Sequence, residues 1–205
     1  MLRIIFLGTG GSLPTRNRNP SAVMVNREGE LILFDCGEGT QQQMMRAKTG
    51  MMSLSSIFIS HFHADHFLGI PGLIQTMSFM GRKEPLLIYG PEGTMEFTEL
   101  FKALGYFNLK YEVRGVQLKP GDIVEREEYV IRALKTEHSI SSLGYALIEN
   151  PRPGRFHRER AIELGVPPGP LFAKLQKGNT VEVNGKLVKP EDVMGALRPG
   201  RTVVY

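Results

Sequence analysis

The chain has 205 residues, 41% of them hydrophobic, and a formal net charge of +4. That is enough apolar material for a core, so the composition excludes a disordered chain, and no stretch reaches the roughly 18 apolar residues of a membrane helix. A single cysteine, Cys36, excludes an internal disulfide and agrees with a reducing, cytoplasmic setting.

The first 150 residues read as alternating short strands and helices, an α/β domain. Arg3–Leu7 is an apolar run, too short for a signal peptide, and reads as a buried strand leading into the loop Gly8-Thr9-Gly10-Gly11. Ser21–Val25 and Leu31–Phe34 flank a polar turn, as in a hairpin. Thr40–Lys48 is rich in helix formers and is ended by Gly50. Ile57–Ser60 is a short strand running into His61. The pattern predicts a helix over Phe67–Phe79 with Pro71 in its first turn, a strand over Leu86–Tyr89 and a helix over Gly93–Leu104. Tyr111–Val116, Tyr129–Leu134 and Gly144–Ile148 read as strands.

The character changes at Asn150-Pro151-Arg152-Pro153-Gly154. Residues 151–201 hold seven prolines and seven glycines. Gly165-Val166-Pro167-Pro168-Gly169-Pro170 cannot lie inside a helix, and Arg158–Leu164 suits a short one. A loop of this length is usually functional or disordered, and it reads here as a protruding arm. Charge follows the same boundary. Residues 1–150 carry 15 Lys/Arg against 16 Asp/Glu, and residues 151–205 carry 10 against 5. Such a basic segment suits an anionic partner, nucleic acid first, or a solubilising surface. Residues 202–205 begin another core strand.

The chemistry concentrates in His61-Phe62-His63-Ala64-Asp65-His66. Three of the chain's five histidines and an aspartate lie within six residues. Imidazole and carboxylate are good zinc ligands, and His-x-His on extended backbone aims both rings to one side. Asp65 and His66 follow where the chain turns into a helix, facing a second metal. His138, just after the strand Tyr129–Leu134, is the candidate third ligand for the first metal. His157, in the basic arm, is read as no ligand. Gly8-Thr9-Gly10-Gly11 lacks the spacing of a dinucleotide or phosphate-binding loop.

The spacing His-x-His-x-Asp-His resembles the metallo-β-lactamase superfamily. Phe34-Asp35-Cys36-Gly37-Glu38-Gly39-Thr40-Gln41, Leu7-Gly8-Thr9-Gly10-Gly11-Ser12 and Pro14-Thr15-Arg16-Asn17-Arg18-Asn19-Pro20-Ser21 look like ribonuclease Z in particular. So does the Gly-Val-Pro-Pro-Gly-Pro arm. The resemblance implies an αβ/βα sandwich, here incomplete, with the arm as a tRNA-binding extension. It implies two zinc ions per intact subunit, about 3.5–4 Å apart, holding a hydroxide that attacks phosphorus in line. The products would be a 3′-hydroxyl on the tRNA and a 5′-phosphate on the trailer. Asp35 would support the metal loop through hydrogen bonds, and Asp65 would be both ligand and proton acceptor. Arg16 and Arg18 would handle substrate beside the site. Arg152, Arg155, Arg158, Arg160, Lys174 and Lys177 would grip the tRNA body through its phosphates. The resemblance also implies a homodimer in which one subunit's arm serves the other's substrate.

Length is the departure. Family members are longer, with a bridging aspartate in Ser-Gly-Asp after the arm and a final histidine further on, and neither occurs in these 205 residues. The expectation is therefore a truncated chain that offers His61, His63 and His138 to one zinc, only Asp65 and His66 to the other, and no activity by itself. Two other readings stand beside it: a hydrolase of this fold acting on another phosphodiester or a lactone, and an inactive RNA-binding fragment.

Overall fold

The computed structural model describes residues 1–205. The chain divides into two compact units. One comprises Met1–Val124, Ile131–Ala146 and Val204–Tyr205, the other Glu125–Val130 and Leu147–Val203.

The first unit is built on a six-stranded sheet. Strands β1 (Leu2–Gly8), β2 (Ala22–Arg27) and β3 (Glu30–Phe34) pair antiparallel, and β4 (Leu54–Phe58), β5 (Leu86–Gly90) and β6 (Val113–Gln117) add in parallel, in spatial order β1 to β6. The β2–β3 turn closes because Glu28 and Gly29 both take positive φ, 53° and 102°, as a two-residue hairpin turn of matching twist requires. From β3 onward each strand returns in the same direction, so each connection carries helix: α1 (Thr40–Arg46), then α2 (Ala64–Phe67) and α3 (Ile70–Phe79), then α4 (Thr94–Ala103).

Strand alternation sorts this core. Leu31, Leu33, Ile57, Ile59, Leu86 and Ile88 fall in one buried cluster with Ile70, Leu73, Ile74 and Met77 of α3. Phe34 and Phe58 project the other way, where Phe34 meets Tyr145 and Tyr205, Phe58 meets Tyr145, and Tyr89 stacks on Phe58, with ring centroids 4.7 to 6.0 Å apart. Each large apolar side chain so buried contributes roughly 1.5–3 kcal/mol. On the first face Arg82 is buried against Met77 and the Tyr111 ring. It donates to the carbonyls of Glu84, Met52, Leu54 and Pro85 at 2.7 to 3.0 Å, tying the end of α3 to the starts of β4 and β5.

A four-stranded sheet follows in the order β12-β9-β8-β7, from β7 (Ile123–Glu125), β8 (Tyr129–Lys135), β9 (Leu143–Glu149) and β12 (Thr202–Val204). The second unit adds α5 (Arg158–Glu163), α6 (Pro170–Gln176), the hairpin β10 (Val181–Val183) and β11 (Lys186–Val188), and α7 (Pro190–Val193). It has its own small core of Ala161, Val166, Leu175, Val181, Val188 and Val193. Its buried Glu149 takes both Nε and Nη2 of Arg201 at 2.7 Å, which satisfies a carboxylate that would otherwise be costly to bury.

Several elements differ from the sequence reading. The helix expected over Phe67–Phe79 breaks at Leu68–Gly69 into α2 and α3, and the strand expected from Tyr111 starts at Val113. The strand before His61 runs Leu54–Phe58, short of the expected Ser60. The strand β7, the hairpin β10–β11 and helices α6 and α7 were not foreseen. Each has three to seven residues, too few to display an apolar period, and the core residues of residues 151–201 are spread singly among polar ones. Pro170 opens α6, so the proline-rich stretch ends at a helix start rather than in a loop.

Candidate metal centre

Beyond β4, Ile59 continues the buried core, and His61 is held extended by a bridge to Ser142. His63 is the N-cap residue of α2 with φ −84° and ψ 143°, and Asp65 and His66 lie in that helix's only turn. His138 arrives from the loop between β8 and β9. The ligand atoms of His61, His63 and His138 all lie within 4.8 Å of one another, with His138 Nε2 3.2 Å from His63 Nδ1. The His66 ring lies tilted beside that of His61 at 4.0 Å between ring centroids, and its Nε2 is 3.4 Å from Asp65 Oδ2. The structure thus brings together every residue of the expected cluster.

Two glycines make this approach possible. A Cβ on Gly37 would lie 2.4 Å from the carbonyl oxygen of Asp65, and one on Gly69 would lie 2.3 Å from that of Gly37. With no side chain there, Cys36 N donates to His66 O and Gly69 N donates to Cys36 O, both at 2.8 Å. The Asp35–Gly37 segment is thereby docked onto the helix carrying Asp65 and His66. Asp35 itself adopts φ 53°, a conformation non-glycine residues seldom take.

The Asp35 carboxylate is fully buried and accepts four hydrogen bonds. Oδ1 takes Ser60 N at 2.7 Å; Oδ2 takes Ser60 Oγ at 2.8 Å, Tyr205 Oη at 2.7 Å and His66 Nδ1 at 2.5 Å. Ser60 Oγ also lies 2.9 Å from His61 Nδ1. Burial and then the neighbouring His66 push His61 down to about 4, with His138 and His63 adding to the effect, so the ring is neutral near pH 7 and keeps a lone pair. Burial pulls His66 in the same direction, but its hydrogen bond to Asp35 and the charges of Asp35 and Asp65 outweigh that and raise it. Cys36 is driven up to about 12 by burial, so its thiol is neither a ligand nor a nucleophile here.

Three imidazole edges converging on one small volume, one of them held neutral, are the donor set of a transition-metal site. The residues fit such an ion. Ser60 and Tyr205 were not singled out from the sequence. Ser60 could have been, as it immediately precedes His61, whereas nothing local marks the Tyr205 hydroxyl.

Arg16 and Arg18 are exposed on a loop pinned by Asn19, whose Oδ1 accepts from Gln43 Nε2 of α1 at 2.8 Å. In the second unit Arg152, Arg155, Arg158, Arg160, Lys174 and Lys177 are all exposed. Arg158 and Arg160 line a cavity of about 590 Å³ with Phe156 and His157, so His157 stands with the basic residues rather than with the metal cluster.

Residues 2–152 match the family model described as Anti-Pycsar protein Apyc1. Ribonuclease Z of Methanosarcina mazei is 86% identical over 205 residues, covering all of this chain and 67% of that protein. Ribonuclease Z of Haloferax volcanii is 52% identical, covering all of this chain and 65% of that protein. The chain thus spans about two thirds of the length of these relatives. The short form of human tRNase Z (ELAC1) superposes with a TM-score of 0.66 at 35% identity, over 74% of this chain and 66% of that one. The metallo-β-lactamase fold protein YhfI of Bacillus subtilis, 23% identical with a TM-score of 0.59 over 71% of this chain and 57% of that one, shares the fold alone. With the histidine cluster at the rim of its sheet and relatives of one name along its whole length, the chain belongs to the ribonuclease Z family of metallo-β-lactamase-fold proteins and, over residues 2–152, to the family of the Apyc1 model.

Proposed function

We propose that this chain carries the metal cluster and the RNA-gripping unit of an endoribonuclease that cuts precursor tRNA at its 3′ end. One observation carries the reading: the match to ribonuclease Z runs through the basic residues 153–205 as well as the histidine cluster, whereas the Apyc1 model stops at 152. A hydrolase of another phosphodiester or of a lactone would share the cluster but have no use for the basic unit.

In this reading His61, His63 and His138 hold one zinc, and Asp65 and His66 supply ligands to a second. Zinc, when bound, polarises a phosphoryl oxygen and makes water nucleophilic at neutral pH. The chain's own groups do the rest. Asp65, close to His66 Nε2, orients the attacking water and takes its proton on Oδ2. As the new oxygen–phosphorus bond forms, the bond to the ribose 3′-oxygen breaks and that oxygen takes a proton from solvent water, leaving a 3′-hydroxyl on the tRNA and a 5′-phosphate on the trailer. Arg16 and Arg18 lie on a loop pinned by the two hydrogen bonds of Asn19, to Glu38 O and Gln43 Nε2, and suit strand phosphates near the cut. Arg152, Arg155, Arg158, Arg160, Lys174 and Lys177 grip the tRNA body by charge and shape. A homodimer, with the basic unit of one subunit serving its partner's substrate, completes the reading. No helix is long and apolar enough to cross a membrane, and a lone buried thiol suits the reducing cytoplasm.

The test is a cleavage assay on precursor tRNA with the protein at the full length of its relatives, comparing wild type with Asp65→Ala. Losing a positioned proton acceptor should cost about 10²–10⁴ in kcat. Equal rates would sink the assignment of Asp65, and no cleavage by the wild type would sink the reading.

A further inference from the structure

Ser60 Oγ has one proton and three neighbours, Asp35 Oδ2 at 2.8 Å, His61 Nδ1 at 2.9 Å and, farther off, His66 Nδ1 at 3.4 Å. An ionised carboxylate only accepts, and a hydrogen bond to it is stronger than one to a neutral ring. The serine proton therefore belongs to Asp35, which leaves His61 Nδ1 as the donor in the second contact. His66 donates from its own Nδ1 to the same Oδ2. Tyr205 Oη, which also contacts Ser21 Oγ at 2.6 Å, approaches that oxygen from another side.

We propose that Ser60 is a positioning residue that extends the reach of Asp35 to His61, so that one buried carboxylate sets the tautomers of two histidines and turns the Nε2 lone pair of each towards the metal site. Through the chain His61 Nδ1–H to Ser60 Oγ–H to Asp35 Oδ2, and directly through His66 Nδ1–H, the same group prepares a ligand for each of the two proposed metals. The main chain reinforces it, because Ser60 N donates to Asp35 Oδ1 at 2.7 Å and so fixes the strand end from which His61 projects. Threonine at 60 would keep the relay; alanine would leave the His61 Nδ1 proton without an acceptor and free the ring to change tautomer.

This rests on the reading of His61 and His66 as metal ligands, so its test separates the two. Histidine labelled with ¹⁵N in the ring, in protein stripped of metal and held at a pH where the rings are neutral, reports the tautomer of each residue. Both His61 and His66 should carry the proton on Nδ1. In Ser60→Ala, His61 should lose that preference while His66 keeps it. Zinc affinity, measured by competition with a chromogenic chelator, should fall about 10–100-fold, the usual effect of losing a partner behind a metal-bound histidine. Ser60→Thr should restore both. A wild-type His61 protonated on Nε2 would overturn the proposal, as would a Ser60→Ala protein with unchanged tautomers and unchanged zinc affinity. If Ser60→Ala does not fold, the wild-type spectrum and Ser60→Thr decide. Failure of zinc to bind the wild type defeats the metal reading instead, and the tautomers are read without zinc.

Discussion

Tyr205 and Asp35 lie 170 positions apart in the chain, and the tyrosine hydroxyl donates to the carboxylate at 2.7 Å. The bond ties the far end of the chain to the group that orders the histidine cluster. Burial and the adjacent Asp35 charge raise Tyr205 well above its ordinary range, so it acts as a neutral donor at any working pH. Tyr205→Phe keeps the ring packed on Phe34, 5.4 Å away, and removes only the hydroxyl. Because a hydrogen bond to a charged group is worth about 1.5–3 kcal/mol, the stability measured by urea unfolding should fall by an amount in that range. A change of a few tenths would mean that Ser60 and His66 satisfy Asp35 without help.

Asp35→Asn should do more. Asparagine tolerates the positive φ of this position, so the backbone can survive the exchange. The charge cannot. Four donors converge on the carboxylate, and an amide offers them one oxygen while pointing its own N–H groups at some of them. The expected outcome is a loss of about 10–100-fold in zinc affinity even where the variant still folds, measured by chelator competition beside circular dichroism. Retained affinity would show that the histidines are held by packing alone.

Much of this centre was legible in the sequence, and what was missed shares a cause. His61, His63, Asp65 and His66 are adjacent in sequence, so their spacing alone placed them together. His138 was reachable because a polar histidine at a strand end is conspicuous beside such a cluster. Tyr205 was invisible, since its partner is fixed only when two sheets fold, and a tyrosine after Val203-Val204 looks like any strand residue. The break at Leu68–Gly69 was hidden for a similar reason: it exists because Gly69 must approach Gly37, which lies in a distant segment. In residues 151–201 the apolar positions are too sparse for a period, so beyond the short helix at Arg158–Leu164 the elements holding a real core read only as a protruding arm.

Arg82 is a clear case of stability without chemistry. Its guanidinium is buried and spends its donors on four carbonyls from two segments, one before and into β4 and one before β5. Arg82→Met fills similar space but leaves those carbonyls without a donor, and an orphaned buried polar group costs about 1–3 kcal/mol. The variant should lose at least about 3 kcal/mol in urea unfolding, since more than one carbonyl is orphaned and each carries that cost. Arg82→Lys should recover only part of it, because one ammonium cannot reproduce a planar fork of five donors. Unfolding midpoints of the two variants close to wild type would contradict the clamp.

The basic unit makes a prediction that separates grip from catalysis. Arg155, Arg158, Lys174 and Lys177 are exposed, and Arg152 is best left intact because it lies 3.8 Å from the buried Glu149. Changing those four to glutamine removes charge without touching the small core beneath them. If they neutralise phosphates, each phosphate left without its cation makes the slope of log affinity against log salt less negative by about 0.7–0.9. The full-length variant should therefore bind precursor tRNA more weakly at low salt, converge on wild type as salt rises, and raise KM while kcat stays within a factor of about three, since binding common to ground and transition states does not alter kcat. A fall in kcat with KM unchanged would place these residues at the reacting phosphate instead. A salt slope equal to wild type would mean that the charge of this unit serves solubility, and the case for tRNA would then rest on the relatives alone.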